Sequence, residues 1–143
     1  EAMEQRMQPV LNFLFPEIPG NHPSRKSIAT NLLANILGLG WAATPAGLKA
    51  MEELADLEEE RRRKKQRAVP IGAASNEMCD FLILNISSLQ LIPVSIIAFR
   101  TEYGSVAPTA IVGPAILATA VSTGIAIFYI KIRKYIYRKL FDR

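Results

Sequence analysis

Among the polar side chains inside two largely apolar stretches, six could do chemistry: Asn31, Asn35 and Thr44 within residues 28–48, and Asn85, Ser88 and Gln90 within residues 78–99. An amide offers two donors and an acceptor, and a hydroxyl one donor and two lone pairs. None of the six carries charge, so the set suits an uncharged polar ligand or a partly dehydrated ion. Asn31 and Asn35 are four apart and share a helical face, as do Asn85 and Ser88 at three apart. Two readings remain open for these residues. They can hydrogen-bond between packed helices, or they can line a cavity beside broken helices. The second reading draws on Gly38, Gly40 and Pro45 in the first stretch and Pro93 in the second, which would set the breaks.

These residues need elements to hold them. Residues 28–48 read IATNLLANILGLGWAATPAGL, and a helix of that length covers about 30 Å, enough to cross a bilayer's hydrocarbon core. Ala34, Gly38, Ala42 and Ala46 recur every four residues, a row that admits a second helix backbone closely. Gly38-Leu39-Gly40 predicts a break, making the stretch a broken or re-entrant element. Residues 78–99 and 109–130 predict a two-span helical hairpin, closed at one interface by Phe128 and Tyr129. A second small row, Ala110, Pro114, Ala118, Ser122 and Ala126, runs along its return. Ahead of all this, residues 1–27 predict an amphipathic helix, either interfacial on the bilayer or packed on protein, and a Pro/Gly connector.

Charge sets the topology. Net charge is +4, and the charges cluster rather than intersperse. Residues 49–77 predict a charged helical arm with Glu58–Arg62, Glu59–Arg63 and Glu60–Lys64 pairs at i, i+4. Residues 131–143 form a basic juxtamembrane helix attracted to anionic lipid. Both segments are rich in Lys and Arg, so the positive-inside rule places them in the cytoplasm. The fold class expected is an all-α integral membrane domain over 1–143, seated in the cell membrane. The start at Glu1 and the missing signal segment imply a fragment lacking upstream segments.

Several classes are disfavoured. No nucleophile–base pair or phosphate loop is visible, so no catalytic residue, enzyme activity or cofactor is expected. The only cysteine, Cys79, and the only histidine, His22, have no companions for a metal site. The charged arm at 49–77 has no interleaved aromatics, which argues against nucleic acid there, and the basic tail flanks an apolar span, which makes the membrane its expected partner.

Four segments, NLLANILGLGWAATPAGLKAMEEL, SNEMC, NISSLQLIP and GSVAPTAIVGP, resemble the spore maturation protein A family, whose domain is the nucleoside-recognition, or Gate, domain. The resemblance runs from about Phe15 to about Thr123. It implies an integral membrane protein acting with a spore maturation protein B-like partner, or as one half of a fused A/B protein, and assembling as an oligomer. The chain departs from the family pattern at Trp41, where a polar Asn is usual and where the indole is expected to shrink or dry a cavity. It departs again at Asp80, where Thr is usual.

The function expected is a membrane transport or gating module for a small polar solute or ion, of spore-maturation type. Asn31, Asn35, Thr44, Asn85, Ser88 and Gln90 would form its lining. The alternative is a non-transporting membrane scaffold that assembles with a partner Gate-domain protein through the small-residue rows.

Overall fold

The computed structural model describes residues 2–87 and 90–141, and the side chains within them except those of 2–5, 138, 140 and 141. Among the described residues the chain is helical and has no strand. The helices are α1 (Ala2–Leu14), α2 (Ser24–Ile36), α3 (Gly40–Arg63), α4 (Asn76–Ser87), α5 (Val94–Glu102) and α6 (Val112–Phe141), the last reached through a 3-10 turn at Pro108–Ile111. Pro108–Tyr137 is the one helical stretch among them long and apolar enough to cross a membrane.

The predicted break at Gly38-Leu39-Gly40 is present, and its mechanism is local. Gly38 adopts φ +71°, a conformation that costs other residues a clash with their own Cβ. With Gly38 so placed, Leu39 N–H donates to Ala34 O (2.8 Å) and Gly38 N–H to Asn35 O (2.9 Å). This double closure is the usual glycine-dependent end of a helix. The chain then reverses, and α3 packs along α2. The small residues facing α2 are Ala43, Gly47 and Ala50, all buried. The row Ala34, Gly38, Ala42 and Ala46 read as one helix is divided by the turn.

Three element boundaries differ from the sequence reading. First, α3 runs unbroken from Gly40 to Arg63, so half of the 28–48 element and most of the 49–77 arm are one helix. Pro45 lies inside it and sets no break. It falls in the second turn, where its ring costs one bond to the Trp41 carbonyl while the burial of α3 against α2 continues on both sides. Second, the 78–99 span is not one helix: α4 stops at Ser87, and α5 starts at Val94 behind Pro93. Pro93 has no N–H to extend a helix, and its φ −77°, ψ 69° with Val94 N–H on Ile92 O (2.9 Å) form a tight inverse turn. Third, α6 carries the return span straight into the basic tail without interruption.

The core lies toward the charged end. Leu11, Leu14, Phe15 and Ile18 pack with Ile28, Ala29, Ala50, Leu54, Leu57, Met78, Phe81, Leu84 and Ile130. Phe81 and Phe15 are almost fully buried, and each such side chain contributes up to about 3 kcal/mol by leaving water. By contrast, α5 has no buried residue, and Phe99, Leu117, Val121, Ile125 and Phe128 are exposed.

Charged groups at that end turn inward rather than outward. Asp80 is fully buried, hydrogen-bonded by Arg133 and with Lys134 Nζ 2.8 Å from Oδ2. Arg61 Nη1 bridges Glu58 (2.5 Å) and Glu77 (2.8 Å). Glu58 therefore pairs with Arg61 and accepts Val69 N–H (3.0 Å), while Arg62 donates to Val69 O (3.1 Å). The expected Glu58–Arg62 pair is replaced by this docking of the arm. Glu59–Arg63 (2.6 Å) and Glu60–Lys64 (2.5 Å) form as expected. Lys131 and Lys134 donate to the Phe13 and Leu14 carbonyls (2.5 and 3.1 Å), satisfying the open end of α1. Much of the tail's basic charge is thus spent on the protein itself.

Candidate functional site

Asn35 stands where three helices meet. Its Nδ2 donates to Asn31 Oδ1 (3.2 Å) and to Asn85 Oδ1 (2.7 Å). Asn31 Nδ2 in turn donates to Ala43 O (2.8 Å), so the amides of α2 link α3 to α4. Asn31 is only 1% exposed, a depth at which an unpaired amide would be costly. Both hydrogens of Asn35 are engaged, which leaves its Oδ1 as an acceptor without a partner among the described residues.

The cluster forms the floor of a cleft of about 400 Å³ between α3 and α4, lined by Asn31, Asn35, Gly40, Ala43, Thr44, Gly47, Leu48, Met51, Phe81, Leu82 and Asn85. That volume is within the range of small-molecule sites. No lining residue is charged. The walls are apolar, the floor is amide, and Thr44 Oγ1 bonds back to Gly40 O (3.2 Å), its lone pairs still able to accept.

Of the six polar residues singled out from sequence, Asn31, Asn35, Thr44 and Asn85 share this cleft. Gln90 does not line it: its carbonyl takes the Thr119 hydroxyl (3.4 Å), because the α4 helix has already ended. Ser88 lies outside the described residues. Gly40 opens α3 at the cleft edge, whereas Gly38 and Pro93 act at the turns and Pro45 inside α3. Trp41 neither shrinks nor dries the cleft. It is 81% exposed and absent from the lining, since it sits in the first turn of α3 with its indole outside the groove.

Gly47 was missed as a site residue. A methyl group built on it would lie 2.9 Å from Asn31 Nδ2 and 3.5 Å from Asn85 Nδ2, so bare backbone is what lets the amides settle against α3. The signal was available: a glycine inside a helix costs about 1 kcal/mol relative to alanine and usually marks a close approach.

A second cavity, about 600 Å³, opens at the charged end among Glu58, Arg61, Arg67, Glu77, Arg133 and Lys134. Its buried acids and their bases are paired with one another as described above. Burial works against the Arg61 charge, but the hydrogen bonds and charges of Glu77 and Glu58 outweigh it and hold its pKa above the usual value. On the exposed side of the arm, the hydrogen bond and charge of Arg63 lower the Glu59 carboxyl, and those of Lys64 lower Glu60.

Over 139 residues the chain is 45% identical to spore maturation protein A of Bacillus subtilis (strain 168), an alignment that takes in 97% of this chain. This similarity supports assigning the chain to the spore maturation protein A family. The chain spans 65% of that relative's length, just under two thirds. No family model matches the chain, and no solved structure matches it. The four segments set beside the spore maturation protein A family fall on successive elements of the fold. NLLANILGLGWAATPAGLKAMEEL supplies α2, its turn and α3; SNEMC opens α4; NISSLQLIP begins at Asn85 and ends at Pro93; GSVAPTAIVGP leads into α6.

Proposed function

We propose that this chain is a membrane module that binds a small uncharged polar solute in the α3–α4 cleft and passes or gates it, in a spore-maturation-type role. The observation that carries this reading is the uncharged Asn31–Asn35–Asn85 floor joining interrupted helices. A neutral amide floor under apolar walls matches a neutral ligand, and four of the groups it needs converge without a charge among them.

Depth supports the reading. Thr119 lies at the centre of the apolar stretch 109–130, and its hydroxyl contacts Gln90 O, while Thr123 contacts Ser87 O (3.4 Å). At 1.5 Å per residue, the α4–α5 junction falls near the bilayer midplane, and Asn85 lies roughly 8 Å toward the basic end, still within hydrocarbon. Transporters place solute sites at such depth, beside broken helices. The turn at Gly38 reaches the same level. Both outer ends of the α2–α3 pair lie at the basic end, because α3 finishes where Arg61 meets Glu77 at the start of α4 and donates to Glu17 O (2.9 Å). The pair is therefore a re-entrant hairpin from the cytoplasmic side, and α4–α5 and α6 form an interrupted out-and-back pair. The 49–77 and 131–143 segments face the cytoplasm of the cell membrane, where what remains of the tail's basic charge meets anionic lipid.

In this reading the chain is not an enzyme, and it assembles with a spore maturation protein B-like partner or fused half. One observation favours the scaffold alternative, namely the exposed apolar surface of α5 and the first half of α6, which a partner could cover. Proteoliposome uptake of labelled nucleosides and other small uncharged solutes separates the two. Asn35→Ala and Asn85→Ala should abolish uptake while the protein still inserts. Unchanged uptake in both variants rules out the cleft as the path.

A further inference from the structure

The amide chain on the cleft floor has a fixed direction, and a backbone carbonyl fixes it. A carbonyl oxygen can only accept, so the group that Asn31 turns to Ala43 O (2.8 Å) must be its Nδ2. Asn31 then meets Asn35 with its Oδ1, and Asn35 answers with its own Nδ2 (3.2 Å). The second hydrogen of Asn35 goes to Asn85 Oδ1 (2.7 Å). Turning over Asn31 or Asn35 alone would set oxygen against oxygen, and turning over Asn85 would set nitrogen against nitrogen. Asn31 is buried, so water offers its amide no other partner.

The consequence falls on the cleft. Asn35 presents an oxygen there and has no hydrogen left to give. Thr44 behaves alike: its hydroxyl hydrogen is on Gly40 O (3.2 Å), and its lone pairs remain. Asn85 keeps its Nδ2 toward α3, 3.5 Å from where a methyl on Gly47 would lie. The demand for a donor is therefore set at Asn35 and Thr44. A solute that brings an N–H or O–H meets it. A solute with acceptors alone gives up its own water and leaves Asn35 Oδ1 without a partner. Sites built to pair with a substrate donor reject the analogue that lacks it far more strongly than one that differs only in size.

We propose that the cleft selects solutes by hydrogen-bond donation. Its ligand is a neutral molecule that presents an N–H or O–H to Asn35 Oδ1 and lays an apolar body against Leu48, Met51, Phe81 and Leu82. This rests on the cleft being the solute site. Asn31 is then a positioning residue. It does not touch the solute, and it sets which end of the Asn35 amide the solute meets.

The test is side-chain amide NMR of the full chain in nanodiscs, with asparagine isotope-labelled, titrated with benzamide and separately with methyl benzoate. The two probes share ring and carbonyl, and only benzamide has N–H donors. Benzamide is expected to bind at least about tenfold more tightly, with shifts at Asn35. Partitioning into lipid favours the ester, so this preference runs against it. Before any probe is added, both Asn35 amide hydrogens should exchange at least about tenfold more slowly than those of exposed Asn21. Asn31→Ala frees Asn35 to turn over and should reduce the benzamide preference at least about threefold, whereas a merely structural loss would weaken both probes alike. Should that variant fail to fold, the wild-type comparison decides alone. Equal affinities, tighter binding of the ester, a freely exchanging Asn35 amide or an unchanged preference in Asn31→Ala overturns selection by donation and leaves the cleft as a solute site. If neither probe shifts any asparagine of the cleft, the solute reading falls and selection by donation falls with it.

Discussion

Gly47→Ala is the sharpest single perturbation of the cleft, because its sign runs against the ordinary rule. Replacing a mid-helix glycine by alanine stabilises a helix by about 1 kcal/mol. Here the added methyl lies 2.9 Å from Asn31 Nδ2, a few tenths of an ångström too close, and the buried amide must retreat. Its bond to Ala43 O, now 2.8 Å, is then stretched or lost, and a buried donor left without a partner costs about 1–3 kcal/mol. The net expectation is a destabilisation of about 0–2 kcal/mol with the Asn31 and Asn85 amides displaced. Thermal unfolding in detergent reads the first quantity. Side-chain amide NMR of selectively labelled asparagine reads the second, as shifts at Asn31, Asn35 and Asn85 together. A gain of about 1 kcal/mol with unmoved amide signals would refute the close approach assigned to Gly47.

Other perturbations carry equally definite expectations. Asp80→Ala leaves Arg133 and Lys134 without their buried partner and should cost about 3 kcal/mol by thermal unfolding, whereas Lys64→Ala on the exposed pair with Glu60 should change stability by less than about 1 kcal/mol. Pro45→Ala restores an N–H to the Trp41 carbonyl and should stabilise α3 by up to about 3 kcal/mol, slowing hydrogen exchange in its first turns while the α2–α3 break persists. Loss of the break would show that Pro45 and not Gly38 sets it. Thr119→Val removes the hydroxyl on Gln90 O and should lower stability by about 1 kcal/mol, with faster exchange at Leu91.

What was legible from sequence followed short-range rules. Gly38 announces a reversal because only glycine adopts its φ freely, and Asn31, Asn35 and Asn85 announce a polar floor because amides have no place on a lipid-facing helix. Pro93 marked the α4–α5 junction in the 78–99 stretch, yet its apolar length still read as one span. The misread features depended on distant partners. Glu58 has Arg61 and Arg62 both within a turn, and the choice between them is made by Glu77 and Val69 arriving from elsewhere. The basic tail reads as lipid-facing until Asp80 and the carbonyl end of α1 claim Arg133, Lys131 and Lys134. Trp41 was expected in the cavity because it takes a position where the family resemblance implies a polar Asn, whereas the turn before α3 leaves it exposed.

The account rests on the cleft floor being a solute site within the membrane. A density map of the full chain with the proposed spore maturation protein B-like partner in a lipid nanodisc, taken with a solute that is taken up in proteoliposomes, tests this directly. The account predicts solute density between α3 and α4 against Asn35 and Asn85, near the middle of the bilayer. A partner helix filling that groove, or solute density elsewhere with the three amides still bonded to one another, would contradict it.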